Sequence, residues 1–354
     1  MITLFVSLKA LETLALTERW NRILCKEVKD IHVYASDDEL NNYLMEEADI
    51  SPIANIVLSG DIKLNSSMEE IDGFIKDNSK VLNYPSGVFF LDITKDTAAE
   101  IQQKYGVICK NENDIDGKEL SDEREISCTE NEIGHSWSEF LEDIKKAPTN
   151  SLIINDRYLF ANDEHNDINK RNGRTNFIEI LNSILPISFS SEKPYHILLI
   201  YSQQQKNNEH KLPFHKLSKE LAKEVTKLRQ YPIEFELLSV SENQPKYELT
   251  HNRRIITNYH IIRAEHKLQA FKDNKSTCSQ VLNWNMLFSK GVLDKSDTPY
   301  KSYKQLIKDL REIAEYGKEH ATSGYCYSMN GVPARNANND PIFSPIQNRL
   351  IVNY

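Results

Sequence analysis

Residues 251–271, HNRRIITNYHIIRAEHKLQAF, hold the densest group of side chains suited to handling phosphate. His251 is followed two positions on by Arg253 and, five further on, by Asn258. An imidazole attacks phosphorus or passes a proton, and a guanidinium grips two phosphoryl oxygens at once. An asparagine hydrogen-bonds to either but cannot carry the charge that steadies an imidazolium. From His251 to Lys272 the chain sets Arg253, Arg254, Arg263, Lys267 and Lys272 against one acid, Glu265, with Tyr259, His260 and His266 interleaved. This predicts a phosphate- or nucleic-acid-binding surface at Arg253, Arg254, Asn258, Arg263, Lys267 and Lys272, with any catalysis falling to His251. The competing reading is a basic sheet edge guarded against unwanted pairing.

Other chemistry is thinly represented. His251, His260 and His266 follow no metal-ligand spacing, so no metal and no cofactor are expected. Tyr158, Tyr201, Tyr231 and Tyr259 form either a stacking platform for bases or core. The usual glycine-rich nucleotide loops and the nucleophile elbow of hydrolases do not occur.

The elements that must position these residues follow from periodicity. Apolar runs at 2–6, 31–35, 55–59 and 88–93 each precede a helix-compatible stretch, the rhythm of a parallel sheet covered by helices. Asp37-Asp38 and Thr94 read as helix caps, and Pro85 to Gly87 as the turn delivering the fourth strand. Ligands of such sheets gather at the carboxyl ends of strands, which nominates Ser59, Gly60, Asp61 and Asp92. Residues 110–146 are rich in acids and read as a linker or surface excursion that ends in a short helix around Trp137 and Phe140. Beyond it come a strand at 151–160, a helix at 176–185, strands at 196–201 and 233–240 flanking a helix at 214–228, then a strand pair in 251–271. A helix at 303–320 and a short strand-like RLIVNY close the chain. In that strand pair, alternation sets Arg253, Ile255, Thr257 and Tyr259 on one face and Arg254, Ile256 and Asn258 on the other. The expected fold is α/β in two domains: an amino-terminal, mainly parallel domain at 1–109, and a mixed-sheet domain at 147–354, joined by the acidic segment.

The spacing of His251, Arg253 and Asn258 resembles the His-x-Lys-x4-Asp frame of phospholipase D enzymes, with two of its three residues altered. The chain from about 151 to 272 looks more like the phospholipase-D-like domain found at the carboxyl terminus of MIT-domain proteins, which has relatives in bacterial conflict systems. Ile154, Asp156 and Tyr158 match its Ile-x-Asp-x-Tyr strand, and His251, Asn252 and Arg253 its His-Asp-Arg, with Asn252 in place of Asp. The resemblance implies a non-catalytic phospholipase-D-like fold with a basic face for phosphate-bearing surfaces. It adds Asp156 and Tyr158 as site candidates. It also implies an accessory subunit of a bacterial antiviral defence complex with other protein subunits as partners; whether the phosphate-bearing surface is nucleic acid or lipid does not carry over, and DNA or RNA is expected ahead of anionic lipid. The alternatives are a homodimeric phosphodiesterase or nuclease acting through His251, and a purely structural interaction subunit.

Bulk composition bounds these readings. The 354 residues suffice for two domains, and a net charge of −9 disfavours indiscriminate coating of nucleic acid while permitting one basic surface. Five cysteines, never in a CxxC pair, argue for a reducing cytoplasm. Lys9, Glu12 and Glu18 break the apolar start, which is therefore expected to be a strand and helix rather than a signal peptide.

Overall fold

The computed structural model describes residues 2–26, 30–46, 53, 57, 63–118, 120–164, 167, 170–202, 212–244, 247–287, 289, 299–320, 325–340 and 342–353. The fold is α/β, with the chain divided into two compact units. The first spans Met1–Asp122 and the second is built from Glu123–Leu287 and Pro299–Val352. No helix among the described residues is long and apolar enough to cross a membrane.

In the first unit, β1 (Thr3–Ser7), β2 (Asp30–Tyr34), β3 (Lys63–Ser66), β4 (Val88–Leu91) and β5 (Ile108–Asn111) form a parallel sheet in the order β3-β2-β1-β4-β5. Helices α1 (Leu8–Leu16), α2 (Glu18–Lys26), α3 (Asp37–Glu46), α4 (Met68–Lys76) and α5 (Lys95–Tyr105) intervene. One face of the sheet buries Phe5, stacked on Phe89 at 4.8 Å and meeting Phe74 edge-on; on another side Trp20 meets Phe90 at 5.7 Å. Thr94 caps α5 as expected, its hydroxyl accepting from the Thr97 N–H at 3.1 Å. The cap of α3 is Ser36, not Asp37 or Asp38: its hydroxyl accepts from the Glu39 N–H while the Glu39 carboxylate accepts from the Ser36 N–H, a reciprocal box that leaves both aspartates in the first turn. The strand expected at 55–59 lies outside the described residues except for Val57, which is helical; the third strand is Lys63–Ser66.

In the second unit, nine strands lie in one mixed sheet ordered β16-β15-β9-β8-β7-β10-β11-β14-β6. They are β6 (Glu123–Cys128), β7 (Ser151–Asn155), β8 (Tyr195–Tyr201), β9 (Ile233–Val240), β10 (Arg254–Thr257), β11 (His260–Ala264), β14 (Gln280–Met286), β15 (Tyr325–Met329) and β16 (Val332–Pro333); β12 (Phe271–Lys272) and β13 (Lys275–Ser276) make a separate hairpin. Strands β7, β8 and β9 are parallel, and β10, β11, β14 and β6 continue antiparallel. The helices are α6 (Trp137–Phe140), α7 (Asn172–Ile184), α8 (Phe214–Val225), α9 (Pro299–His320) and α10 (Arg349–Val352).

Three sequence-based expectations change here. The acidic segment is not all linker, because Glu123–Cys128 pairs along its whole length with β14 and forms the sheet edge. RLIVNY is helical over Arg349–Val352: Asn348 accepts from the Leu350 N–H through its side chain, and Arg349 is drawn inward to donate to the Asn150 and Pro194 carbonyls. The strand at 151 ends at Asn155, because the Asp156 carboxylate accepts from the Tyr158 N–H at 2.9 Å and turns the chain.

Candidate functional site

Strands β7 and β10 run antiparallel, so the exit of β7 and the entry to β10 lie side by side, with Asn155 opposite Arg254. Arg157 joins the two segments. Its backbone N–H donates to the Thr250 carbonyl, and its buried guanidinium donates to the Tyr247 carbonyl at 3.0 Å while lying 3.9 Å from the Tyr247 ring centroid. The 3-10 turn Tyr247–His251 is thereby fixed, and it delivers His251, exposed, to the end of the sheet where β10 begins. Tyr158 stands edge-on to His251 with ring centroids 6.4 Å apart. The Ile154-Asp156-Tyr158 and His251-Asn252-Arg253 motifs therefore meet in space.

An open groove of about 520 Å³ lies at this end of the sheet, lined by His251, Asn252, Arg253, Arg254, Arg263, Ala264, Glu265, Val281 and Asn283. Its base is set by register. Arg254 lies directly opposite Arg263, and Arg263 opposite Asn283. Alternation puts Arg254 and Arg263 on one face of the sheet and Arg253 on the other. Continuing the β7–β10 register by one residue sets Arg253 beside Asp156. Asp156 is buried, which pushes its carboxyl above the usual range, against the opposing pull of the Tyr158 and Leu268 N–H groups and of the Arg253 and His251 charges. Arg253 reaches the Glu265 carbonyl at 3.5 Å, and its Nε–H meets no acceptor among the described residues.

The chain matches no family model and no curated protein. Its chemistry is therefore read from the groove itself.

Of the residues singled out in the sequence, His251, Arg253, Arg254 and Arg263 come together in the groove, with Asp156 and Tyr158 beside them. Asn258 does not join them. It is fully buried at the far end of β10, where its Oδ1 accepts from the Asn150 and Ser151 N–H groups at 2.9 and 3.2 Å and its Nδ2 donates to Asn150 Oδ1 at 2.7 Å. Its task is to splice the β10–β11 turn to the start of β7, so it is removed from the phosphate-binding set. Lys267 points its ammonium at the Thr277 carbonyl, and Lys272 lies on the β12–β13 hairpin; neither lines the groove.

Tyr201, Tyr231 and Tyr259 are core, which reduces the stacking platform to Tyr158. His260 is core as well: its ring nitrogen meets the Thr257 hydroxyl at 2.9 Å, and burial drives its pKa down to about 3, keeping it neutral. No group of three or more metal-ligating side chains occurs among the described residues.

In the first unit, the carboxyl ends of β1 and β4 are spanned by the turn that leaves β5. Ser7 donates to the Glu112 carboxylate at 2.5 Å, Lys9 to Asn113 at 2.6 Å, and the Glu112 N–H to the Leu91 carbonyl. Asp92 is exposed beside that turn, and Ser59, Gly60 and Asp61 lie outside the described residues. The sequence missed Asn252, Glu265 and Asn283 as groove residues; the register of β14 brings Asn283 there, and no local motif announces it.

Proposed function

We propose that the second unit binds a phosphate-bearing ligand in the groove of Arg254 and Arg263 and holds it without chemical turnover. The observation that carries this reading is the register that sets these two arginines directly opposite each other. Like charges in such cross-strand pairs oppose folding. An oxyanion bridging the two guanidiniums converts that repulsion into charge-assisted hydrogen bonds. Turnover is disfavoured by the same geometry. Asn258, which takes the place of the acid in the sequence frame, sits buried at the far end of β10 and is neutral, so it cannot steady an imidazolium at His251. The phospholipase-D-like ancestry, and the setting as an accessory subunit of a cytoplasmic defence complex, belong to this proposal through the sequence motifs. Cys109, Cys128, Cys278 and Cys326 are free thiols, which suits a reducing compartment.

The test is retention on phosphocellulose, followed by a salt gradient. The paired substitution Arg254→Ala with Arg263→Ala is expected to elute at clearly lower salt than the parent protein, because two phosphate contacts and the counterions they displace are lost. Elution at unchanged salt refutes the proposal. In parallel, cleavage of bis(p-nitrophenyl) phosphate is expected to be no faster with the parent protein than with His251→Ala, and Asn258→Asp is expected to bring no activity. His251-dependent cleavage would restore the enzymatic reading.

A further inference from the structure

The row of residues that contains the two arginines continues across the sheet. Arg254 on β10 faces Arg263 on β11, Arg263 faces Asn283 on β14, and Asn283 faces Glu125 on the edge strand β6. Direct partners across a sheet share a face, so these four side chains form one transverse line. Along it the charge passes from two cations through a neutral amide to an anion. In the next row on the same face Asn285 on β14 faces Glu123 on β6 and the row runs back to Ile261 on β11, so the two cations belong to the first row alone; Glu125 and Glu123 are both exposed. Strands spaced ~4.8 Å apart put Glu125 roughly 10 Å from Arg263.

Such a surface is poorly suited to a polyanion laid across the strands, whose next phosphate would approach Glu125 or Glu123. It suits a ligand with one phosphate at one end and N–H donors at the other. Asparagine amides pair with base edges, and a carboxylate accepts from an exocyclic amine. Resting on the phosphate-binding reading above, we infer that the groove takes a nucleoside monophosphate whose base carries an exocyclic amine, the phosphate on Arg254 and Arg263, the base edge on Asn283 and the amine toward Glu125. The span of such a nucleotide from phosphorus to amine is of the same order as the Arg263-to-Glu125 separation. Recognition then depends on β6, the strand contributed by the acidic segment.

Titration calorimetry with adenosine monophosphate, inosine monophosphate and inorganic phosphate tests the inference, using the full chain and its Arg263→Ala and Glu125→Gln variants. Adenosine monophosphate is expected to bind about tenfold more tightly than inosine monophosphate, a difference of about 1.4 kcal/mol. Glu125→Gln, an exposed and conservative change, should reduce that preference to near unity while leaving inorganic phosphate binding unchanged. Arg263→Ala should weaken all three ligands. Equal affinity for the two nucleotides, or a Glu125→Gln variant that keeps the preference, overturns the inference while leaving phosphate binding intact. Absence of binding by all three ligands, or binding indifferent to Arg263→Ala, defeats the inference together with the reading on which it rests. A single-stranded oligonucleotide that binds the parent protein more tightly than adenosine monophosphate and is unaffected by Glu125→Gln also overturns it, in favour of a polyanion.

Discussion

Asn258→Ala separates a structural residue from a ligand-binding one. Its Oδ1 accepts from two buried backbone N–H groups, those of Asn150 and Ser151, and its Nδ2 donates to the Asn150 side chain. Alanine offers no acceptor. A buried donor stripped of its partner costs about 1–3 kcal/mol, so two of them amount to roughly 4 kcal/mol. Three tryptophans are present in the chain: Trp20 lies in the first unit, Trp137 and Trp284 in the second. In a Trp20→Phe background, tryptophan fluorescence, excited selectively over tyrosine, therefore reports on the second unit alone. At a slope of 2–3 kcal/mol per molar urea, the unfolding midpoint should fall by roughly 1.5 M. Below that midpoint, retention on phosphocellulose should match the parent, because the amide lies at the opposite end of β10 from the groove. An unchanged midpoint combined with lost retention would return Asn258 to the phosphate site and refute the assignment.

Two further changes probe the same unit. The Glu236 carboxyl is buried, which pushes its pKa up to about 7, although it accepts from the Tyr327 hydroxyl at 2.5 Å and the Gln347 N–H at 2.7 Å. A folded-state pKa raised from 4.5 favours folding fully below pH 4.5, and this contribution is lost as pH rises through 7. The parent should lose up to about 3 kcal/mol of stability between pH 4.5 and 8, and Glu236→Gln should flatten that slope in urea titrations run across the range; a variant with the parent's slope removes Glu236 as the cause. Gly173 opens α7 where an added Cβ would lie 1.8 Å from the Leu159 carbonyl oxygen, so Gly173→Ala must push back the 156–160 turn that carries Asp156 and Tyr158. A loss of about 3 kcal/mol is expected from the same fluorescence measurement, and a loss below 1 kcal/mol would show that the turn yields freely.

Much of the architecture was legible because its signals were local. β-branched pairs at Ile255-Ile256 and Ile261-Ile262 foretold two strands, and they pair directly across β10 and β11. The acidic segment concealed a strand because β6 is an edge with one wet face: Glu123, Glu125 and Ser127 point outward, while inward-facing Arg124 is satisfied by the Glu139 carboxylate and carbonyl instead of by burial among apolar groups. Such a strand lacks the hydrophobic alternation that would reveal it. RLIVNY was ambiguous because four apolar-leaning residues are too few for either period to show. The frame of His251, Arg253 and Asn258 misled for a geometric reason. Along an extended strand, the four steps from Arg254 to Asn258 span roughly 13 Å, which carries Asn258 away from the groove.

The alternation of one strand also divides the neighbouring arginines by function. Asp156 is held at the β7 exit by two backbone N–H groups and offers its charge to Arg253, so Arg253 already has an anion within the fold. Arg254, one residue on and therefore on the opposite face, has a second arginine across from it. A phosphate bound on that face lies between two guanidiniums, as the proposed function requires. Because Asn283 and Glu125 follow on the same face, the choice of face fixes not only where the phosphate sits but what the rest of the ligand meets. A slip of one residue in the pairing of β10 would exchange the two arginines and separate the phosphate contact from the amide and the acid. The hydrogen bonds that oppose this slip are those of buried Asn258 at the end of β10 away from the groove and of buried Arg157 at the groove end.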